Sequence, residues 1–245
     1  MRMTGSWVGT RCYFHRSLPT SPGCALVSEC STSAAVRAHS RPSWSNGWGH
    51  LRCRPSIPPE QFIAAARARN PEVGVQQASA EQLPFPDNAF DAALAQLVVH
   101  FMSDPAAGLA EMRRVTHQDG VVAACVWAHA EGQGPLSPFW EAAREIDADV
   151  EDESRRVGSR EGDLSQLFKS AGLSAIDETA LSVSVEHPSF EEWWEPFTLG
   201  VGPAGSHVAG LGTERRAQLR EHCRALLPDP PFVLTARAWT ARGLA

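Results

Sequence analysis

The 245-residue chain has a formal net charge of −6, with 43% hydrophobic and 20% charged residues, a composition typical of a globular protein with a sizeable core. This acidic balance argues against nucleic acid as the main partner, because phosphate binding needs a basic surface. No apolar run is long enough to span a membrane, and no apolar stretch follows the N-terminal arginines as in a secretory signal. We therefore expect a cytoplasmic protein that does not bind membranes.

The first 57 residues differ in composition from the rest of the chain. They are rich in Ser, Arg, Cys, Trp and Pro, Glu29 is their only acidic residue, and no period of 2 or 3.6 is sustained. We predict that residues 1–57 are irregular, either disordered or frame-shifted, and that residues 58–245 form an α/β domain.

From residue 58 onward, apolar periodicity predicts alternating helices and strands. The run 90–99 is nearly all apolar, as in a strand buried on both faces of a parallel sheet. Asp104 and Pro105 are typical of a helix start, with Asp as the cap and Pro in the first turn. In chain order the predicted elements up to residue 127 are a helix over 60–69, a strand over 73–78, a loop over 83–88, a strand over 90–99, a helix over 106–115 and a strand over 121–127.

For residues 128–245, the sequence pattern predicts four helices and two strands, with a helical substrate-side insertion around residues 130–200. The strand–helix–strand order before it indicates a βαβ unit. The predicted fold is therefore α/β, a doubly wound, mostly parallel Rossmann-like sheet that is incomplete at its N-terminus. The later elements are helices over 138–150, 163–171, 189–194 and 213–227 and strands over 175–186 and 232–239.

The six cysteines do not form a metal-binding pattern. No C-x-x-C pair occurs, and the histidines do not complete a zinc-binding pattern with the cysteines. The acidic run 147–153 is interpreted as a solvated helix end. The sequence therefore predicts no metal site.

Three motifs in the middle of the chain resemble one enzyme family. Residues 77–91 read QASAEQLPFPDNAFD, residues 100–105 read HFMSDP, and residues 111–115 read EMRRV. In this order and at this spacing, they resemble the class I S-adenosylmethionine-dependent methyltransferases of the type 11, small-molecule kind. The resemblance implies a Rossmann-like methyltransferase fold, S-adenosyl-L-methionine as the cofactor and a small-molecule methyl acceptor.

The resemblance also implies roles for individual residues. Ser79 and Ala80 would hold the adenine, although Ser79 would otherwise only satisfy the loop backbone. Gln96 and Leu97 end a strand at the carboxyl edge of the sheet, near the methionine part of the cofactor. From its position after this strand end, and not from the resemblance, His100 is a candidate base that deprotonates a nucleophile, or else a structural histidine.

The glycine-rich cofactor loop of that family is missing. It should precede Phe62, but the only G-x-G there is Gly47–Gly49, and Arg52 and its neighbours stand where the family has a ribose-binding acid. Degenerate codons of residues 20–57, read in the other frames, permit both the glycine loop and the acid. We hypothesise a frame-shifted segment, the alternative being an ordinary disordered extension. On this hypothesis the sheet lacks a central strand, the chain is poorly stable, and it binds cofactor weakly or not at all.

Two other functions compete with a methyltransferase. An inactive remnant could persist as a non-catalytic interaction protein, and a nucleotide-dependent oxidoreductase would need a dinucleotide loop that the chain also lacks. Five aromatic residues between positions 139 and 197 either line an acceptor pocket or lid, or belong to the core. These aromatic residues are Phe139, Trp140, Trp193, Trp194 and Phe197.

Overall fold

In the computed structural model of the chain, the described residues are 25–30, 33–38, 46–52, 68 and 73–245, with side chains described at residue 68 and from residue 78 onward. The helix predicted over 60–69 lies outside the described residues, except that Ala68 is helical and exposed.

The described strands form one eight-stranded sheet in the order β4-β3-β2-β1-β5-β6-β8-β7. The pairs β1–β5, β3–β4 and β5–β6 are parallel, and the other four pairs are antiparallel. The α/β class is confirmed, and its sheet is mixed. The strands are β1 (Ala25–Cys30), β2 (Ser33–Ala38), β3 (Asn46–Arg52), β4 (Val73–Gln77), β5 (Phe90–Gln96), β6 (Thr116–Trp127), β7 (Ser174–His187) and β8 (Phe232–Leu244).

The N-terminal segment contains strands where the sequence pattern predicts irregular structure. β1 pairs with β5, placing Val27 opposite Ala95 and Ser28 opposite Gln96. Without β1, one edge of β5 would expose unpaired backbone N–H and C=O groups, so this pairing satisfies them. The sheet therefore has a strand beside β5, contrary to the expectation of a missing central member.

The path from β1 to β3 differs from that of a doubly wound sheet. β1 ends at Cys30, β2 begins at Ser33, and β2 runs antiparallel to both β1 and β3. Parallel strands are ordinarily joined by a helical crossover, and the antiparallel β2 stands in its place. Gly47 and Gly49 lie within β3, so this G-x-G is part of a strand.

The pairing directions place several strand ends at one edge of the sheet. β1, β3, β4, β5 and β6 all run the same way, because two antiparallel steps separate β1 from β3. Their carboxyl ends share one edge, where ligands of open α/β sheets bind. We call this the carboxyl edge.

Four of the five helices predicted after residue 73 begin and end within one residue of the predicted positions. The helix predicted over 138–150 ends at Ile146, and the helix Gly202–Gly210 was not predicted. Asp104 caps α1, because its Oδ1 accepts from the N–H of Ala107 at 3.0 Å. Ser189 caps α4, because its hydroxyl oxygen accepts from the N–H of Glu192 at 3.1 Å. No helix among the described residues is long and apolar enough to cross a membrane. The helices are α1 (Pro105–Val115), α2 (Ser137–Ile146), α3 (Asp163–Ser170), α4 (Phe190–Trp194), α5 (Gly202–Gly210) and α6 (Thr213–Leu226).

Two large apolar clusters make up most of the described core. The sheet cluster packs α1 and α3 against the sheet and includes Leu109, Leu164 and Phe168. The helical cluster lies between α2, α4, α5 and α6 and includes Leu219 and Cys223. The five aromatic residues that could have lined an acceptor pocket or belonged to the core are all buried in the helical cluster. This placement favours the second alternative, that they belong to the core.

Candidate functional site

Ser79 and Ala80 begin the turn that follows β4. Ser79 is exposed, and its hydroxyl donates to Oε2 of Glu81. Oε1 of Glu81 accepts from the backbone N–H groups of Ser103 at 2.9 Å and Asp104 at 3.1 Å. The turn is therefore tied to the start of α1, and the adenine-binding candidates lie close to the segment that follows β5.

Ala80 is 1% exposed and packs against α1. A Cβ added at Gly108 would lie 3.2 Å from the Cβ of Ala80 and 2.6 Å from the sulfur of Met102. Because no side chain fits there, Gly108 lets the helix approach the turn closely. Ala80 therefore presents its backbone, not its methyl group, to any ligand.

The Leu-Pro-Phe-Pro-Asp motif forms a loop held by Arg114 of α1. The guanidinium donates to the carbonyl oxygens of Leu83 at 3.1 Å and Phe85 at 2.9 Å, and it pairs with Asp87 at 2.6 Å. Glu111 pairs with Arg114 at 2.6 Å and accepts from the N–H of Leu83 at 2.8 Å. These contacts give the motif a structural role, since they position the turn that carries Ser79.

Gln96 and Leu97 lie at the carboxyl edge, where β5 ends between β1 and β6. Gln96 is half-buried, and the N–H of Leu97 donates to the carbonyl of Cys125 at 2.9 Å. Leu97 is buried and has a φ of 59°, a conformation that is uncommon for a branched, bulky residue. Its side chain packs with Trp127 and Ala238, in a third apolar cluster. Such strain clusters at ligand sites and marks this strand end as a candidate site.

His100 follows β5 at the same edge and is 7% exposed. Burial, together with the nearby His129 and Arg156, holds the pKa of His100 well below 6.5, so the imidazole is neutral at pH 7. Its ring packs on Phe101 with centroids 4.0 Å apart. Among the described residues its Nδ1 has no hydrogen-bond partner, which is unusual for a buried polar atom.

Two residues that sequence reasoning missed lie beside His100. His129 follows β6 and is 8% exposed, and Glu153 is 4% exposed. Nε2 of His129 lies 3.9 Å from Oε1 of Glu153, whose Oε2 accepts from the indole N–H of Trp140 at 3.1 Å. The interpretation of the acidic run as solvated is therefore wrong for Glu153. The available signal was a histidine within four residues of the end of each of two adjacent parallel strands.

A surface cavity of about 430 Å³ lies between residues 154–160 and α3. Arg155, Arg156 and Arg160 contribute to its lining, with Asp163. None of the residues predicted to bind the cofactor lines it. The cavity is therefore separate from the predicted cofactor site.

Comparisons with known proteins match the central motifs. Residues 57–124 match the sequence profile of the family described as methyltransferase domain, whereas no curated protein matches the chain. Among solved structures, the YcgJ protein of Bacillus subtilis is 20% identical, with a TM-score of 0.47 over 76% of this chain and 78% of that one. An S-adenosylmethionine-dependent methyltransferase of Thermotoga maritima is 18% identical, with a TM-score of 0.39 over 74% of this chain and 67% of that one. Residues 57–124 of this chain are therefore similar to a methyltransferase domain.

Proposed function

We propose that the chain is an S-adenosylmethionine-dependent methyltransferase for a small-molecule acceptor, with impaired cofactor binding. The match of residues 57–124 to the methyltransferase domain carries this proposal. The acidic net charge of −6 favours a small acceptor over nucleic acid. We place the protein in the cytoplasm.

In this proposal, the cofactor lies along the carboxyl edge. Ser79 and the backbone of Ala80 contact the adenine, and Gln96 and Leu97 contact the methionine part. The exposed hydroxyl of Ser79 supports this assignment, as does the strained φ of Leu97 at the end of β5.

The protein's contribution to methyl transfer is mainly orientation. The sulfonium cofactor supplies the reactive methyl group, so an acceptor that is already nucleophilic needs little acid–base help. Where the acceptor must lose a proton, we assign the base to His100, whose imidazole is neutral at pH 7. That role requires the acceptor to reach a side chain that is only 7% exposed.

The proposed impairment follows from the missing glycine-rich loop. Backbone N–H groups of such a loop, followed by a helix N-terminus, hold the cofactor in doubly wound folds. Here β2 follows β1 after two residues. The antiparallel pair of β1 and β2 also favours the alternative function, an inactive remnant that acts as an interaction protein.

Cofactor binding tests the proposal. The DNA that encodes residues 15–60 is resequenced, and calorimetry then measures S-adenosylmethionine binding to the chain as given and to a frame-corrected chain. We expect the corrected chain to bind at least about 100-fold more tightly, a difference of about 3 kcal/mol. Tight binding by the chain as given would contradict the impairment. Failure of both chains to bind would contradict the methyltransferase function and favour the remnant.

A further inference from the structure

Three buried donor groups converge at the carboxyl edge, apart from the residues predicted to bind the cofactor. They belong to His100 after β5, His129 after β6, and Glu153 between α2 and α3. One ligand atom from each residue lies within 4.8 Å of the other two. Their segments are far apart in sequence, so the fold itself brings them together.

The two histidines have unsatisfied polar atoms that point to a ligand. Nδ1 of His100 and Nε2 of His129 are buried, and within the described part of the chain they have no hydrogen-bond partner. An unsatisfied buried polar atom destabilises a folded protein. Two such atoms in one cluster are best explained by an occupant that binds both.

The carboxylate of Glu153 is oriented toward this cluster. Its Oε2 accepts from the indole of Trp140, which leaves Oε1 facing His129 at 3.9 Å. A second residue that orients a metal-binding carboxylate in this way is common in metal sites. The contact thus fixes one donor before any ligand binds.

We propose that His100, His129 and Glu153 form a binding site for one divalent transition-metal ion of the zinc class. Two imidazoles and one carboxylate are the donors that zinc and its neighbours prefer, whereas magnesium and calcium prefer oxygen ligands alone. Three protein ligands leave the fourth position of a tetrahedral ion open to an oxygen or nitrogen atom of a bound molecule. The site shares His100 with the proposed methyl transfer and uses none of the residues predicted to bind the cofactor.

The distances require a small closure of the site. Zinc bonds of about 2.0–2.2 Å place tetrahedral donors about 3.4 Å apart. The donor atoms of His129 and Glu153 are 3.9 Å apart and must approach by about 0.5 Å. Two donor atoms at the upper limit of 4.8 Å would have to approach by about 1.4 Å. Rotations about side-chain bonds provide such movements without a change in the backbone.

Charges of both signs surround the site, and Asp152 is itself paired with Arg144. Glu153 supplies one negative charge in the site, and Asp152 lies close enough to act on His129. Arg156, which stacks over the ring of Phe101 at 5.5 Å, opposes a cation. A ligating His100 would not also be the base of methyl transfer.

Metal titration of the full chain tests the site. Protein without a polyhistidine tag is stripped with a chelator and titrated with Zn²⁺ by calorimetry and with Co²⁺ by visible absorption. We expect one ion per chain with a Kd of about 1 μM or below, and the intense Co²⁺ bands of a four- or five-coordinate site. His129→Asn, His100→Asn and Glu153→Gln should each weaken binding at least about tenfold.

A second histidine–glutamate pair provides a matched control. His222 and Glu145 lie 2.7 Å apart on the surface, so His222→Asn should leave the affinity unchanged. Should one variant fail to fold, the thermal shift of the other two with Zn²⁺ gives the same comparison. Absence of stoichiometric binding would overturn the proposal, as would binding that survives all three ligand substitutions or is lost with His222→Asn.

Discussion

Glu81 holds the turn after β4 against the start of α1, and this contact depends on its charge. Burial raises the pKa of this carboxyl, but hydrogen bonds from Ser79 and from the backbone of Asp104 and Ser103 outweigh burial and hold the pKa below 4.5. A carboxyl whose pKa is lower in the folded chain stabilises the fold above pH 4.5 and loses that contribution as the pH falls through the lowered pKa.

We therefore expect Glu81→Gln to lower the free energy of unfolding by about 1 kcal/mol at neutral pH. The cost should shrink at an acidic pH below the lowered pKa, where the wild-type carboxyl is also protonated. Urea unfolding at both pH values measures the two costs, with the exposed Glu141→Gln as the control. An equal cost at both pH values would show that the charge of Glu81 does not contribute.

Leu97 combines a buried side chain with a left-handed backbone conformation. Truncating the side chain should lower the free energy of unfolding, whereas a residue that adopts a positive φ without strain should raise it. Leu97→Ala should lower the free energy of unfolding by about 2–4 kcal/mol, because a buried leucine is truncated. Leu97→Gly should lower it by about 1 kcal/mol less, because glycine adopts a φ of 59° without strain. Chemical denaturation of both variants measures the difference.

Ala95→Gly, on the same strand, is the control for that comparison. Ala95 is buried in regular β5, so glycine there should destabilise by about 0.5–1 kcal/mol. The proposed strain at residue 97 is refuted if Leu97→Gly is as unstable as Leu97→Ala.

At the scale of elements, Arg114 links the motif loop to α1. Its guanidinium reaches two backbone carbonyls and two carboxylates at once, a fork that lysine cannot reproduce. Arg114→Lys should cost about 1–3 kcal/mol, whereas the exposed Arg113→Lys should cost almost nothing. Thermal unfolding of the two variants measures both costs. Equal costs would show that the contacts of Arg114 contribute no more to stability than an ordinary surface contact.

The start of α3 depends on a carboxylate from another element. Gly162 at the cap has no side chain, and Glu178 of β7 accepts instead from the N–H groups of Gly162 at 2.8 Å and Ser165 at 2.7 Å. A carboxylate at a helix N-terminus also stabilises the helix dipole.

We expect Glu178→Ala to lower the free energy of unfolding by about 1–2 kcal/mol and to speed amide exchange in the first turn of α3. Glu186→Ala, an exposed residue on the same strand, is the control. If exchange in α3 is unchanged in both variants, Glu178 does not cap the helix.

Most elements from residue 73 onward were predictable because each has a strong local signal. The cap at Asp104 and the apolar strands on either side of α1 are examples, and the structure confirms them. Strand ends were less predictable: the strand predicted over 90–99 ends at Gln96, because Leu97 adopts a positive φ. No local pattern predicted β1, because its pairing with β5 is a long-range contact.

At the scale of the whole molecule, the candidate site was only partly predictable. His100 was found because it follows an obvious strand. Glu153 was missed because its burial depends on the indole of Trp140 in a different helix, a contact that no spacing in the sequence reveals. The roles assigned to Ser79, Ala80, Gln96 and Leu97 remain predictions, as does the frame-shifted origin of residues 20–57.

β8 contributes to all three apolar clusters and joins the sheet to the helical layer. Phe232 lies in the helical cluster, Ala236 in the cluster around Leu97, and Trp239 in the sheet cluster. Loss of packing in one cluster should therefore weaken the others through this strand, and the described part of the chain should unfold as one cooperative unit.

Two identical substitutions test this coupling, because Leu164 and Leu219 are fully buried in the sheet and helical clusters, respectively. Each Leu→Ala change should cost about 2–5 kcal/mol. In native-state hydrogen exchange, each should lower the protection of the slowest amides in β5 and in α6 by the same free energy. If each variant lowers protection only in its own cluster, the sheet and the helical layer are separate folding units, and β8 does not couple them.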